Sequence, residues 1–173
     1  MVIAGIDGSS TKTGIAIHTE DGYKTHTLID LHKIKDSDVR LPQMMCEICN
    51  YLDGFKIDKI IMEKSVLKSN VATVQLLSML SGAVMLYAAQ HGIEFENPVP
   101  SVWRKRCGLE QSKNVKRDVL KAEAIKAVEQ EYGLTVTDDE AESLLMARSG
   151  FDLPKINIHA EDVIDDIGIW GEM

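Results

Sequence analysis

The residues best placed to do chemistry are carboxylates at three separated points of the chain. Asp7 follows an apolar run over residues 2–6 and is flanked by Gly5 and Gly8; Glu63 follows Ile60-Ile61-Met62; Asp138, Asp139, Glu140 and Glu142 crowd the start of a late helical stretch. An acid that ends a buried strand projects at the sheet edge where open α/β folds place their sites. Residues three or four apart share a helix face, so Asp139 with Glu142, or Asp138 with Glu142, can point together, while Glu140 suits the first-turn dipole. Two unit charges about 4 Å apart repel by roughly 4 kcal/mol at an effective dielectric near 20, so such a cluster calls for cations. Oxygen-only donors select Mg²⁺ or Mn²⁺. Two such ions about 3.5–4 Å apart activate a water and stabilise the leaving oxygen of a phosphodiester. No histidine base is then required, and none of the histidines adjoins these motifs in sequence.

The elements that must carry these acids can be read from pattern. Residues 2–6 and 15–17 are short apolar runs joined by the polar turn Gly8-Ser9-Ser10-Thr11-Lys12-Thr13-Gly14, which predicts two paired strands. Residues 23–31 give a third strand after the Asp21-Gly22 turn signal. Helical spacing runs over 38–52, a compact strand over 59–62, and a long helix over about 69–90 whose Ser78, Ser81, Gly82 and Ala83 suit close packing. A strand at 93–96, a short helical piece at 102–106 and a basic helix from about 114 to 131 follow. Thr137 with Glu140 forms a capping box that opens a last helix, to about 149. Three antiparallel strands followed by alternating helices and strands predict an α/β fold, a mixed five-stranded sheet with helices on both faces. Residues 1–150 read as one domain and 151–173 as an acidic tail.

Bulk properties fit this reading. At 173 residues, with 45% hydrophobic and 27% charged residues, the chain suits one globular domain. Asp7 interrupts the first apolar run, and the apolar runs are shorter than the roughly 20 residues of a membrane span, so the expectation is a cytoplasmic protein with no membrane partner. Cys46 and Cys49 lie on neighbouring helical positions with no second Cys or His pair to complete a zinc site, and Cys107 stands alone. The net charge of −8 conceals an asymmetry. Arg104, Lys105, Arg106, Lys113, Lys116, Arg117 and Lys121 crowd one segment, whereas the tail is acidic. Local potential steers a polyanion, so these cations are candidate DNA contacts. Trp103 suits either base stacking or the core.

The same residues resemble the RuvC-type Holliday junction resolvases of the ribonuclease H-like superfamily, over roughly residues 2–150. Gly5-Ile6-Asp7 with Gly14-Ile15-Ala16 is similar to that family's first acidic motif, Ile60-Ile61-Met62-Glu63 to its second, and the run from Asp139 to Ala147 to its last. The resemblance implies metal ligands at Asp7, Glu63, Asp139 and Glu142, an active-site lysine at Lys113, and two Mg²⁺ (or Mn²⁺) ions per site. It also implies a homodimer that makes paired cuts in a four-way junction, for which the helix over 69–90 is the candidate interface. Asp7-Gly8-Ser9 replaces the common Asp-Pro-Gly and is closer to phage-type variants, a category that Val102-Trp103-Arg104-Lys105-Arg106-Cys107-Gly108 also resembles. Glu142 stands where an Asp or His is usual, and Val66 where an aromatic wedge often stands.

Three other functions compete. A flap or general branched-DNA endonuclease would use the same acids. A non-catalytic junction-binding protein would gain nothing from acids that repel DNA. A sugar-kinase or actin-type ATPase, whose first strand also ends in Asp followed by Gly, Ser and Thr, needs two such domains, more than 173 residues hold.

Overall fold

Side chains alternate across a strand, and in the first strand both faces are apolar, so the sheet must be covered on both sides. The computed structural model describes residues 1–65, 71–109, 115–156 and 158. Its elements are β1 (Val2–Gly8), β2 (Lys12–Thr19), β3 (Gly22–Asp30), α1 (Ser37–Leu52), β4 (Lys59–Met62), α2 (Val71–His91), β5 (Glu94–Glu96), α3 (Pro100–Cys107), α4 (Arg117–Tyr132) and α5 (Asp138–Arg148). The strands form one sheet in the order β3-β2-β1-β4-β5. β1 runs antiparallel to β2 and parallel to β4, and β5 continues parallel to β4.

Two cores result. Ala4, Ile6, Ile15, Ile17, Ile60 and Met62 face Leu41, Met44 and Ile48 of α1 and Leu80, Val84 and Ala88 of α2. The opposite side chains, Ile3, Ala16 and Ile61, pack with Trp103 and Cys107 of α3, Ala124, Ala127 and Val128 of α4, and Ala141, Leu144 and Leu145 of α5. The expected mixed five-stranded sheet with helices on both faces is therefore present.

The start of α5 is fixed by Thr137, whose side chain accepts from the Glu140 amide while the Glu140 carboxylate accepts from the Thr137 amide. Its approach to the sheet is fixed by two glycines. A Cβ at Gly5 would overlap the Ser143 carbonyl and the Ala147 amide nitrogen, and one at Gly14 would overlap the Asp139 carbonyl. Gly14 lies directly opposite Asp7 in the β1–β2 register. The helix therefore rests on bare backbone beside the acid.

Two expectations are corrected. The packed body does not stop at residue 150: Ile156 and Ile158 are buried in the α3–α5 core, the Ile156 amide donates to the Cys107 carbonyl at 2.7 Å, and Arg148 donates to the Pro154 carbonyl at 2.6 Å. The tail from 159 onward lies outside the described residues, as do Ser69 and Asn114, where two of the predicted helices begin. Second, α2 is long and apolar enough to cross a membrane, at 21 residues, because Thr, Ser and Gln interrupt its apolar runs without lowering its average much. One side of α2 nevertheless packs on the sheet through Leu80, Val84 and Ala88, while Val71, Met79, Met85 and Leu86 remain exposed.

Substituting Gly14→Ala should displace α5 and cost about 1–3 kcal/mol, the range for overpacking. Urea unfolding of the variant, read as a lowered midpoint at unchanged slope, checks this.

Candidate active site

β1 and β4 end side by side. Their last paired residues are Ile6 and Met62, so the next positions, Asp7 and Glu63, leave the sheet at the same edge. Alternation places both on the α5 side, with Ile3, Gly5 and Ile61. The α5 backbone lies against Gly14 at Asp139, and Glu142 follows within the first turns. The Asp7 and Glu142 carboxyl groups lie within hydrogen-bonding reach of each other. Burial pushes the Asp7 carboxyl well above its ordinary value, and the charges of Glu142, Glu63 and Asp139 push it further. Burial and then the Glu63 charge raise Glu142 to about 7. Four acids from two strands and one helix thus feel one another at a single place. Among the described residues no three of them are gathered tightly enough to cage one ion by themselves, and Glu63 gives one oxygen to a different partner.

That partner is Trp103, whose Nε1 donates to Glu63 Oε2 at 2.7 Å. Burial raises Glu63, while the Trp103 hydrogen bond and the charges of Arg104 and Arg117 oppose the rise. Of the neighbouring acids on α5, Asp138 is held by Lys121. Burial would raise its pKa, but the Lys121 hydrogen bond outweighs that and leaves it below its ordinary value. Asp139 is raised, by burial first and the Asp138 charge second. Of the two acids at this helix start, Asp138 is taken up by Lys121, whereas the charge of Asp139 is felt at Asp7.

The candidate DNA contacts divide into four groups. Lys116 and Arg117 are exposed at the start of α4, and the Arg117 charge is felt at both Glu63 and Asp139. Lys105 is exposed, and Arg106 is partly exposed in an ion pair with Glu96 at 2.6 Å. These two line an open cavity of about 650 Å³ on the outer side of α3, together with Ser101, Val102, Leu109 and Lys155. Lys121 is engaged with Asp138. Arg104 corrects the expectation: it is 2% exposed and paired with the equally buried Glu123, so its guanidinium belongs to the interior and offers no solvent-facing phosphate contact. Lys113 and Val66 lie outside the described residues.

Sequence reasoning missed the roles of Trp103, Arg104, Glu123 and Lys12. Trp103 is completely buried, which decides against base stacking, yet its indole N–H reaches the acids. A Trp-Arg pair on a short helix, followed by a Glu among the apolar positions of the next helix, was the available signal. Lys12, in the β1–β2 turn, contributes positive charge at Asp139 and pairs with Asp30 at 3.2 Å. That turn closes on itself, Ser9 Oγ accepting from the Lys12 amide at 2.9 Å and donating to its carbonyl at 2.6 Å.

The raised acids make stability depend on pH. With folded pKa values above the ordinary 3.9–4.3 of free Asp and Glu, the native chain binds more protons than the unfolded chain between about pH 4 and 7, so stability falls as pH rises through that window. The depressed carboxyls, Asp30, Glu96 and Asp138, act oppositely but only below it. In chelator, the melting temperature should drop between pH 5 and 8, and the drop should shrink in Asp7→Asn. An equal drop in both proteins would show that these acids are not its source.

The family model described as crossover junction endodeoxyribonuclease RuvC matches residues 3–139, which takes in Asp7, Glu63 and Asp139 and stops just short of Glu142. The crossover junction endodeoxyribonuclease RuvC of Pseudothermotoga lettingae is 28% identical over 151 residues, covering 85% of this chain and 91% of the relative. That of Chlorobium phaeovibrioides is 29% identical over 98 residues, covering 54% and 52%. Among solved structures, Thermus thermophilus RuvC in complex with a Holliday junction substrate superposes with a TM-score of 0.69 at 16% identity, covering 86% of this chain and 91% of that one. The fowlpox virus resolvase with its Holliday junction DNA gives 0.58 at 15%, covering 87% and 96%. These likenesses extend the ribonuclease H-like fold over nearly the whole described body, and the family match over 3–139 places this chain in the RuvC family of crossover junction endodeoxyribonucleases.

Proposed function

We propose that this protein is a divalent-metal-dependent endonuclease that resolves four-way DNA junctions by paired phosphodiester hydrolysis, acting as a homodimer. The observation that carries this reading is the convergence of Asp7, Glu63, Asp139 and Glu142, set by β1, β4 and α5. The donor set fits a hard cation: all the candidate ligand atoms are carboxylate oxygens, and burial together with the mutual repulsion that lifts Asp7 and Glu142 is what a cation would offset. Asp7, Glu63, Asp139 and Glu142 would hold Mg²⁺ or Mn²⁺, two ions per site. Bound there, the metal supplies a nucleophilic water and charge stabilisation for the leaving oxygen.

The chain's own residues do the rest. Asp7 and Glu142, whose carboxyl groups interact directly, would both serve there as carboxylates. Glu63 keeps one oxygen on Trp103 and has the other available. Lys116 and Arg117, at the entrance formed by the start of α4, hold the phosphate backbone beside the acids; such contacts position a strand without reading its sequence. Lys113, from the segment between α3 and α4, is the proposed lysine beside the scissile phosphate. The exposed apolar residues of α2, Met79, Met85 and Leu86, are the proposed dimer surface, since a near two-fold junction needs two sites related by a two-fold axis.

Asp7→Asn should bind a synthetic four-way junction normally and cut it at least a thousandfold more slowly in Mg²⁺. Full cleavage by this variant would overturn the reading, and equal cutting of a flap or plain duplex by the wild type would replace junction resolution with general branched-DNA or duplex cleavage. Replacing Arg117 with Ala should weaken binding to all sequences alike and lower the slope of log affinity against log salt by about 1. Light scattering should give a dimer at micromolar concentration, converted to a monomer by Met85→Asp; a wild-type monomer would contradict the dimer.

A further inference from the structure

α3 has two unlike sides. Its outer side carries Lys105 and Arg106, while its inner side carries two adjacent residues, Trp103 and Arg104, that each reach a different acid of the cluster. Trp103 is fully buried and gives its only hydrogen-bond donor to Glu63 at 2.7 Å. Arg104 is 2% exposed; one arm of its guanidinium is paired with Glu123 of α4, and Nη1 lies 3.9 Å from Glu142 Oε1 while donating to the Leu120 carbonyl at 3.3 Å. The guanidinium carbon also stands 5.3 Å from the centre of the Trp103 ring, so the two side chains brace each other.

This arrangement is expensive as pure architecture. A buried ion pair is often no more stable than apolar residues of the same volume, and Arg104 Nε is buried with no partner among the described residues. Such costs gather where a structure is over-determined for function. A short helix that only filled the core would be better served by Phe and Leu at these positions.

We propose that Trp103 and Arg104 are positioning residues of the nuclease site: α3 ties the acid of β4 to the acid of α5, Trp103 fixing the direction of Glu63 and Arg104, anchored by Glu123, fixing that of Glu142. The inference rests on the reading of the four acids as a metal site. Groups that orient metal-binding side chains typically govern affinity or activity by 10–100-fold. Arg104 acts here as a fixed interior charge whose planar fork serves two carboxylates at once.

Trp103→Phe keeps an aromatic ring but loses the pyrrole half of the indole with its N–H, so a small cavity accompanies the lost donor. It should fold cooperatively with a lowered melting temperature, bind a four-way junction in Ca²⁺ with unchanged affinity, and bind Mn²⁺ 10–100-fold more weakly by calorimetry, with cleavage largely restored by excess Mn²⁺. A loss of general fold would not be restored by metal. Arg104→Met alone would strip Glu123 of its guanidinium, so the companion variant is Arg104→Met with Glu123→Met, which removes both charges and retains volume. It should fold and also show Mn²⁺ binding weakened at least tenfold. In a Trp170→Phe background, where Trp103 is the sole indole, Mn²⁺ should change the tryptophan emission with the same half-saturation as cleavage. Wild-type Mn²⁺ affinity in Trp103→Phe overturns the proposal for Trp103, and in the folded double variant it overturns that for Arg104. If the double variant does not fold, Arg104→Lys, which keeps the charge and loses the fork, decides the second half by the same Mn²⁺ affinity. Wild-type-like results in these variants while Asp7→Asn is inactive would remove only the positioning role; an active Asp7→Asn would remove the underlying nuclease reading.

Discussion

The close seating of α5 on β1 and β2 is the constraint from which the site follows. A helix normally stands off a sheet by the thickness of its side chains, near 10 Å between axis and sheet. Here Gly5 and Gly14 remove that thickness at two points, so the backbone of Asp139 and Ser143 meets the backbone of the strands. Because Gly14 is the register partner of Asp7, the shortened distance occurs beside the acid. With larger residues at both positions, the acids of α5 would be lifted away from those of the sheet. Glycine in a strand interior is ordinarily a weakness; at these two positions it sets a distance.

Once the acids are together, charge has to be organised over short range, and the chain does so unevenly. Overall it is acidic, at −8, but the cations nearest the cluster come from three directions: Lys12 from the β1–β2 turn, Arg117 and Lys121 from α4, and Arg104 from inside. They differ in what they can do. An exposed Arg117 exchanges its hydration for a phosphate at little cost, whereas a buried Arg104 is committed to its protein partners. Two arginines of one basic segment, on successive helices, are therefore suited to phosphate binding in one case and to architecture in the other.

This difference also marks the limit of what the sequence makes legible. The strand-ending acids, the capping box that starts α5 and the order of elements along the chain were readable, because each depends on local pattern: apolar runs that end in a carboxylate, Thr137 with Glu140, and antiparallel strands ahead of alternating elements. Arg104 was misplaced among the DNA contacts because a basic run carries no information about which members turn inward; that depends on Glu123, nineteen residues on, in another helix. Trp103 was left undecided for the same reason. The boundary at residue 150 failed because the acidic composition of the last segment masks Ile156 and Ile158, two apolar residues that suffice to dock it. The membrane-length apolarity of α2 was missed because scattered Ser, Thr and Gln break its runs, whereas a helix averages over all its faces.

The cluster works against the fold that builds it. Burial and mutual repulsion hold Asp7 and Glu142 toward their protonated forms, so near neutrality their ionisation draws on the stability of the native state, which for a domain of this size is only about 5–15 kcal/mol in total. The sheet tolerates this because its two cores are separate: the side packed by α1 and α2 has no part in the acids, and its contacts with Ile6, Ile60 and Met62 hold β1 and β4 in register whatever the charge state above them. A cation bound by the acids would therefore offset that cost where it arises, at the junction of α5 with β1 and β4. Metal binding and local order at that junction are linked in both directions, and whatever tightens the approach of α5 also strengthens the hold on the ion.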